Sequence, residues 1–190
     1  MNKREFLFAG ASVAALSLFG GCTTSGSNSG DPATRRAAID ADVEQALSRL
    51  YGQVAGSREL VSTARAVLVF PSVVSAGFMI GGSHGVGALQ KNGVTVGNFT
   101  MTAASIGLLA GARTKSVFYI FMVDEALTRF ESSSGWTIGA DASVTVINVG
   151  ANAQIDSRSA QQPVIGFVLT NAGLMGNLSM DGTRIAPLDI

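Results

Sequence analysis

One histidine, His84, and one cysteine, Cys22, bound the chemistry open to this 190-residue chain. A Ser-His-Asp hydrolase would have to use His84, and a zinc site would need further His or Cys ligands that the chain does not contain. His84 lies in Gly81-Gly82-Ser83-His84-Gly85-Val86-Gly87, a strand or turn setting that suits a surface or packing residue. Gly82-x-x-Gly85-x-Gly87 reverses the dinucleotide fingerprint, and no Gly-Lys-Ser/Thr comes after it. The next residues read as a strand, whereas a phosphate loop aims its N–H groups from a helix N-terminus; these glycines therefore point to a bulge or tight sheet curvature. Ser105, in Ala103-Ala104-Ser105-Ile106-Gly107, lacks the sharp strand-to-helix turn and oriented histidine of a nucleophile elbow. Asp124 and Glu125 are adjacent and do not face each other on a helix; a helix cap accounts for Asp124. Asp141, in Gly139-Ala140-Asp141-Ala142-Ser143-Val144, must find partners if it is buried. Either structural pairing, with a basic residue or backbone N–H groups, or contact with a ligand would meet that need.

Cys22 has a different chemistry. Lys3 and Arg4 precede an apolar, small-residue run from Phe6 to Phe19, and Gly20-Gly21-Cys22 comes next. This is the layout of a secretory signal peptide over residues 1–21, and the apolar run is too short for the ~20 residues that span a bilayer. A lone cysteine forms no internal disulfide. Leu18-Phe19-Gly20-Gly21-Cys22 resembles the bacterial lipobox, in which cleavage falls before the cysteine and that residue is acylated. The resemblance implies three acyl chains; each buried CH₂ contributes about 0.8 kcal/mol, so such an anchor is effectively permanent. Thr23, not Asp, succeeds the cysteine, which in Gram-negative lipoproteins favours sorting to the outer membrane. The expected location is the cell envelope, lipid-anchored, on the outer membrane facing the periplasm.

The elements behind these residues divide into a helical and a β part. Thr23 to Gly30 (TTSGSNSG) is a flexible tether that completes a 22–30 segment headed by the lipidated cysteine. Asp31-Pro32 opens a helix with a cap and a first-turn proline. Ile39, Val43, Ala46, Leu47 and Leu50 then recur at helical spacing, with mixed charges on a face expected to be solvated. A second short helix is expected from Ser57, which can cap it, with Glu59 in its first turn. From residue 66 the chain reads mainly as strands. Ala66 to Phe70 is ended by Pro71, and Ala76 to Gln90 pairs with Val94 to Thr102 through the Asn92-Gly93 hairpin signal. Gly107 and Gly111, on one face of Ala103 to Ala112, suggest close packing or a curved sheet. Ser116 to Val123 is a strand, Asp124 to Phe130 a short helix, and Trp136 to Val149 an alternating strand. Val164 to Leu169, Leu174 to Met180 and a strand near Ile185 complete the set, with Asn171-Ala172-Gly173 and Asp181-Gly182 as turns. Strands after helices argue for an α+β fold: N-terminal helices over 31–65 packed on a curved, mostly antiparallel, barrel-like sheet over 66–190, as one domain.

The whole chain carries 13 basic and 13 acidic side chains. Loss of Lys3, Arg4 and Glu5 with the leader leaves 11 against 12, so the mature domain has neither the basic face of a nucleic-acid binder nor a polybasic cluster for anionic lipid. Recognition of anionic headgroups therefore rests on local groups. Arg58, Arg65, Lys91, Arg113 and Lys115 stand near predicted turns and strand ends and are the candidates.

From about Ala64 onward the chain resembles the SYLF family of lipid-binding domains, called actin-binding domains in its eukaryotic members. The matching stretches are Val67 to Phe78, Gly81-Gly82, Gly85 to Ala88, Ala104 to Leu108, Gly111-Ala112 and Phe121-Met122. They continue through Glu125-Ala126-Leu127, Gly135-Trp136, Asp141 to Val144 and Pro163 to Leu178, the last similar to the bacterial branch. Family members often carry acidic residues where this chain has Ser83, His84 and Val86, so no role of those carboxylates carries over. The resemblance implies a non-enzymatic domain, with no cofactor, that engages membrane phospholipid. A scaffold recruiting protein partners, and an enzyme acting on lipid or peptidoglycan, are the rival classes; a pocket converging on Asp141 or Ser105 would favour the latter.

Overall fold

The computed structural model describes residues 31–147, 161–170, 173–174 and 182–190; the side chains of 77–80, 105–112 and 173–174 are not described. The leader, Cys22 and the tether expected over 1–30 lie outside the described residues. So do the end of the expected Trp136–Val149 strand, most of the Leu174–Met180 strand, and Asn171, Ala172 and Asp181 of the expected turns.

Two helices come first, α1 (Pro32–Gln53) and α2 (Ser57–Thr63). Asp31 stands at the N-cap of α1 but makes no side-chain cap bond, so the entry is set by Pro32 alone. Ser57 does not cap α2 either; that position belongs to Gly56, in the left-handed region at φ 80°. The Ser57 hydroxyl instead donates toward the carbonyls of Leu50 and Val54, at 3.2 and 2.7 Å, tying the start of α2 to the end of α1.

The centre of the fold is one long hairpin, β1 (Ala66–Lys91) and β2 (Val94–Phe121), joined at Asn92 and Gly93. Both turn residues have positive φ, 51° and 77°, as the tight turn that matches strand twist requires. Pro71 does not end β1. It sits where the register slips between Phe70 and Val73, two residues of β1 opposing Ser116 alone, and its missing N–H falls at that bulge. β5 (Val164–Thr170) pairs antiparallel with the end of β2 and β7 (Arg184–Pro187) with Phe99 to Thr102. The short β3 (Trp136–Thr137), β4 (Thr145–Val146) and β6 (Gly173–Leu174) bring the sheet to seven strands among the described residues, of whose strand pairs β4–β5 alone is parallel. α3 (Asp124–Ser132) comes directly after β2. Its N-cap is Val123, and Asp124 makes no cap bond. The fold is α+β, helices on a mostly antiparallel sheet curled into a half-barrel.

The expected long strand from Trp136 is broken after two residues. Gly139 takes φ 91°, and the Asp141 carboxylate accepts from the Thr137 N–H at 2.6 Å, closing a turn before β4 begins. Alternation alone could not separate a strand from this turn, because Asp141 and Gly139 occupy positions that a half-buried strand would also leave polar or small.

Over residues 66–70, 117–121 and 164–169 both faces of the sheet are covered, and successive residues go to opposite cores. Val67, Val69, Phe118, Ile120, Ile165 and Phe167 pack with Val43, Leu47, Leu50 and Leu60 of the helices. Leu68, Phe70, Tyr119, Phe121 and Val168 pack with Leu127 and Phe130 of α3 and with Trp136. This explains the unbroken apolar runs, which a sheet wet on one side would not tolerate. The face of α1 expected to be solvated is also used. Asp40 accepts from Thr95 at 2.8 Å, and Glu44 accepts from Gln90 at 2.9 Å, fastening the helix to the hairpin. Residues 31–190 form one compact unit that contains both cores.

Candidate functional site: a cationic pocket between α1 and the hairpin bulge

The bulge at Pro71 opens a hollow against α1. A pocket of about 210 Å³ is lined by Asp42, Gln45 and Arg49 of α1, Pro71 and Ser72 of β1, Thr114 to Ser116 of β2, and Leu169. Its floor is Ser116, 3% exposed, whose hydroxyl donates to the Pro71 carbonyl at 2.7 Å and accepts from Arg49 Nη2 at 3.0 Å. The same bulge that spares Pro71 a ladder bond thus fixes the Arg49 guanidinium at the mouth. Lys115 lines the pocket beside it, and partial burial lowers its ammonium below the ordinary lysine range. Desolvation disfavours the charged form, and a bound anion would reverse that penalty.

Among the described residues, neither Arg49 nor Lys115 has a carboxylate within ion-pair distance. Asp42 shares the wall without reaching them, so two cations stand against one carboxylate. The hydroxyls of Ser72 and Thr114 add donors. A guanidinium, an ammonium and hydroxyls around a small open hollow suit a phosphate group, whose oxygens accept charge-assisted bonds from each.

Of the five candidate cations, the structure brings Lys115 into this pocket. Arg113 lies two residues earlier on β2, exposed and without an ion pair among the described residues. The other three stand elsewhere with partners. Arg58 lies over the Tyr51 ring at 4.3 Å, Arg65 pairs with Asp124 at 3.4 Å, and Lys91 pairs with Glu131 at 2.7 Å. Sequence reasoning misses Arg49, because mid-helix it reads as one more charge on a solvated face. Its only sequence signal is a position one turn beyond Gln45 and two beyond Asp42, on the stripe that meets the bulge. Asp141 is exposed and held by its own turn, outside the pocket. His84 is exposed on β1 opposite Thr102, and the side chain of Ser105 lies outside the described residues.

A family model described as Ysc84, Las17-binding protein actin regulator, matches residues 102–189. No curated protein matches the chain. Over those residues the chain is similar to the SYLF family, a lipid- and actin-binding family known for binding and not for catalysis. The matched stretch includes Thr114, Lys115, Ser116 and Leu169 of the pocket. Arg49, Pro71 and Ser72 precede it.

Proposed function

We propose that this chain is an envelope lipoprotein, anchored through acylated Cys22 to the outer membrane facing the periplasm, whose SYLF-like domain binds anionic phospholipid without catalysis. The observation that carries the binding reading is the pair Arg49 and Lys115, converging on one hollow with no carboxylate partner among the described residues. Building such a site strips water from a lysine for no structural return, whereas a phosphate would give that charge a partner. A Gly/Ser-rich linker as long as residues 23–30 would reach about 15 Å, so an anchored domain would meet headgroups at high effective concentration and weak intrinsic affinity would suffice.

The test is the pair Arg49→Gln and Lys115→Gln in the mature chain, residues 22–190, carrying Cys22→Ser to remove the acyl anchor. The double variant is expected to lose about tenfold or more in affinity for phosphatidylglycerol vesicles and to show a flatter salt dependence. Replacing Arg65 and Lys91, already paired, is expected to change little. Equal losses from both pairs would count against the pocket.

A scaffold role is favoured, among the described residues, by Val94 and Val96, 66% and 51% exposed and two apart on β2. Two valines make a patch well short of the several hundred Å² that mark a stable protein interface, so lipid binding is preferred.

A further inference from the structure

The hairpin does not run straight. Ser75 and Ser83 are eight residues apart on β1, a distance of about 26 Å in an extended strand, yet their hydroxyls are 2.7 Å apart. Val73 meets the backbone at Gly85, and Val69 and Phe70 meet it at Gly87. The two-stranded ribbon is therefore bent double, with its corner near residue 79. The register agrees: Gly77 pairs Gly111 and Met79 pairs Gly107, so two steps on β1 face four on β2. The outer strand of a bent ribbon needs the longer path.

This corner has an unusual composition. No Asp, Glu, Lys or Arg occurs between Pro71 and Gln90 or between Asn92 and Ala112, and its sequence includes Phe78, Met79, Ile80, Ile106, Leu108 and Leu109. Among the described residues, β5 pairs only with residues 116–121 of β2 and β7 only with 99–102. Val74, two residues before the corner on β1, is 47% exposed. The first charges after the apolar stretch are Arg113 and then Lys115, which lines the cationic pocket.

We infer that the glycine-rich corner of the hairpin, residues 76–82 and 104–112, is a wedge that enters the bilayer interface while the adjoining Arg49–Lys115 pocket holds a phosphate. This rests on the lipid-binding reading and deepens it. Leu109 and Arg113 are four strand residues apart, about 13 Å, enough to place the corner below the headgroups with Arg113 among them. The charge order suits an anionic membrane: cations at phosphate level, then no charge beyond. Depth is limited, because an open ribbon edge cannot shed its backbone hydrogen bonds into hydrocarbon. The wedge stops at the upper acyl chains, about 5–10 Å in, as interfacial elements do.

A probe tests this directly. Mature chain carrying Cys22→Ser and Leu109→Cys, labelled with nitrobenzoxadiazole, is mixed with phosphatidylglycerol/phosphatidylcholine vesicles; a matched Ala38→Cys label on exposed α1 is the control. Insertion predicts a blue-shifted, brighter signal at residue 109 alone, quenched more by shallow than by deep spin-labelled lipid. Leu108→Ser with Leu109→Ser is expected to weaken vesicle binding about tenfold or more, most clearly at high salt. Protein that sediments with vesicles while the residue 109 label stays in water overturns the wedge and leaves the pocket standing. An inserted label with binding indifferent to Arg49→Gln/Lys115→Gln keeps the wedge and removes the pocket. No sedimentation at all overturns both.

Discussion

Gly87→Ala should damage this fold far more than its chemistry suggests. An added Cβ would lie 2.0 Å from the Val69 carbonyl oxygen and 2.8 Å from the Phe70 ring. Real Cβ contacts stop near 3.0 Å, so the two halves of the bent ribbon must part by about 1 Å inside a close-packed region. Overpacking of a core costs about 1–3 kcal/mol, and here the obstacle is main chain that cannot rotate aside. The expected loss is therefore about 3 kcal/mol, or about 6–12 °C in Tm for a domain of this size. Urea unfolding followed by the single tryptophan, Trp136, 2% exposed in the same core, measures it. Gly82→Ala is the control, since its nearest neighbour would be 3.9 Å away, and it should stay within about 0.5 kcal/mol of the parent. If Gly87→Ala is as mild as Gly82→Ala, the ribbon is not folded on itself as described.

Two further substitutions separate structure from binding. Tyr119 is buried, its phenol pushed up well above the ordinary range by desolvation, with the Met101 sulfur at 4.0 Å as its one hydrogen-bond partner among the described residues. A raised folded-state pKa gives stability that is full below the unfolded value near 10 and lost as pH climbs above it, so Tyr119→Phe should flatten the alkaline loss measured by unfolding at pH 9 to 11. Asp141→Ala removes the acceptor for the Thr137 N–H and should cost about 1 kcal/mol by urea unfolding, with vesicle binding unchanged. Lost binding in a folded Asp141 variant would make that carboxylate a ligand group after all.

Much of the fold was legible because its signals are local. Asn92-Gly93 requires two positive φ angles, and few other dipeptides offer them cheaply, so the hairpin could be read at once. The helices and the apolar strand cores emerged from periodicity. Pro71 misled because a missing N–H ends a strand unless a bulge absorbs it, and the bulge depends on Ser116, 45 residues away. Trp136 to Val149 misled because alternation is shared by strands and by turns with side-chain acceptors. The site was half legible for the same reason. Lys115 stands beside a strand end and attracts notice, whereas Arg49 acquires meaning only when α1 is laid across the bulge. Arg58, Arg65 and Lys91 have the right charge, and only folding reveals their partners.

That the domain itself recognises anionic phospholipid is tested most directly by co-sedimentation. Residues 22–190 carrying Cys22→Ser are spun with phosphatidylglycerol-containing vesicles and with phosphatidylcholine alone, at low and high salt. Binding to the anionic vesicles that weakens with salt is the expected result, with little binding to the zwitterionic ones. No binding to either would contradict it, leaving an acyl anchor at Cys22 as the sole membrane contact and the scaffold reading in first place.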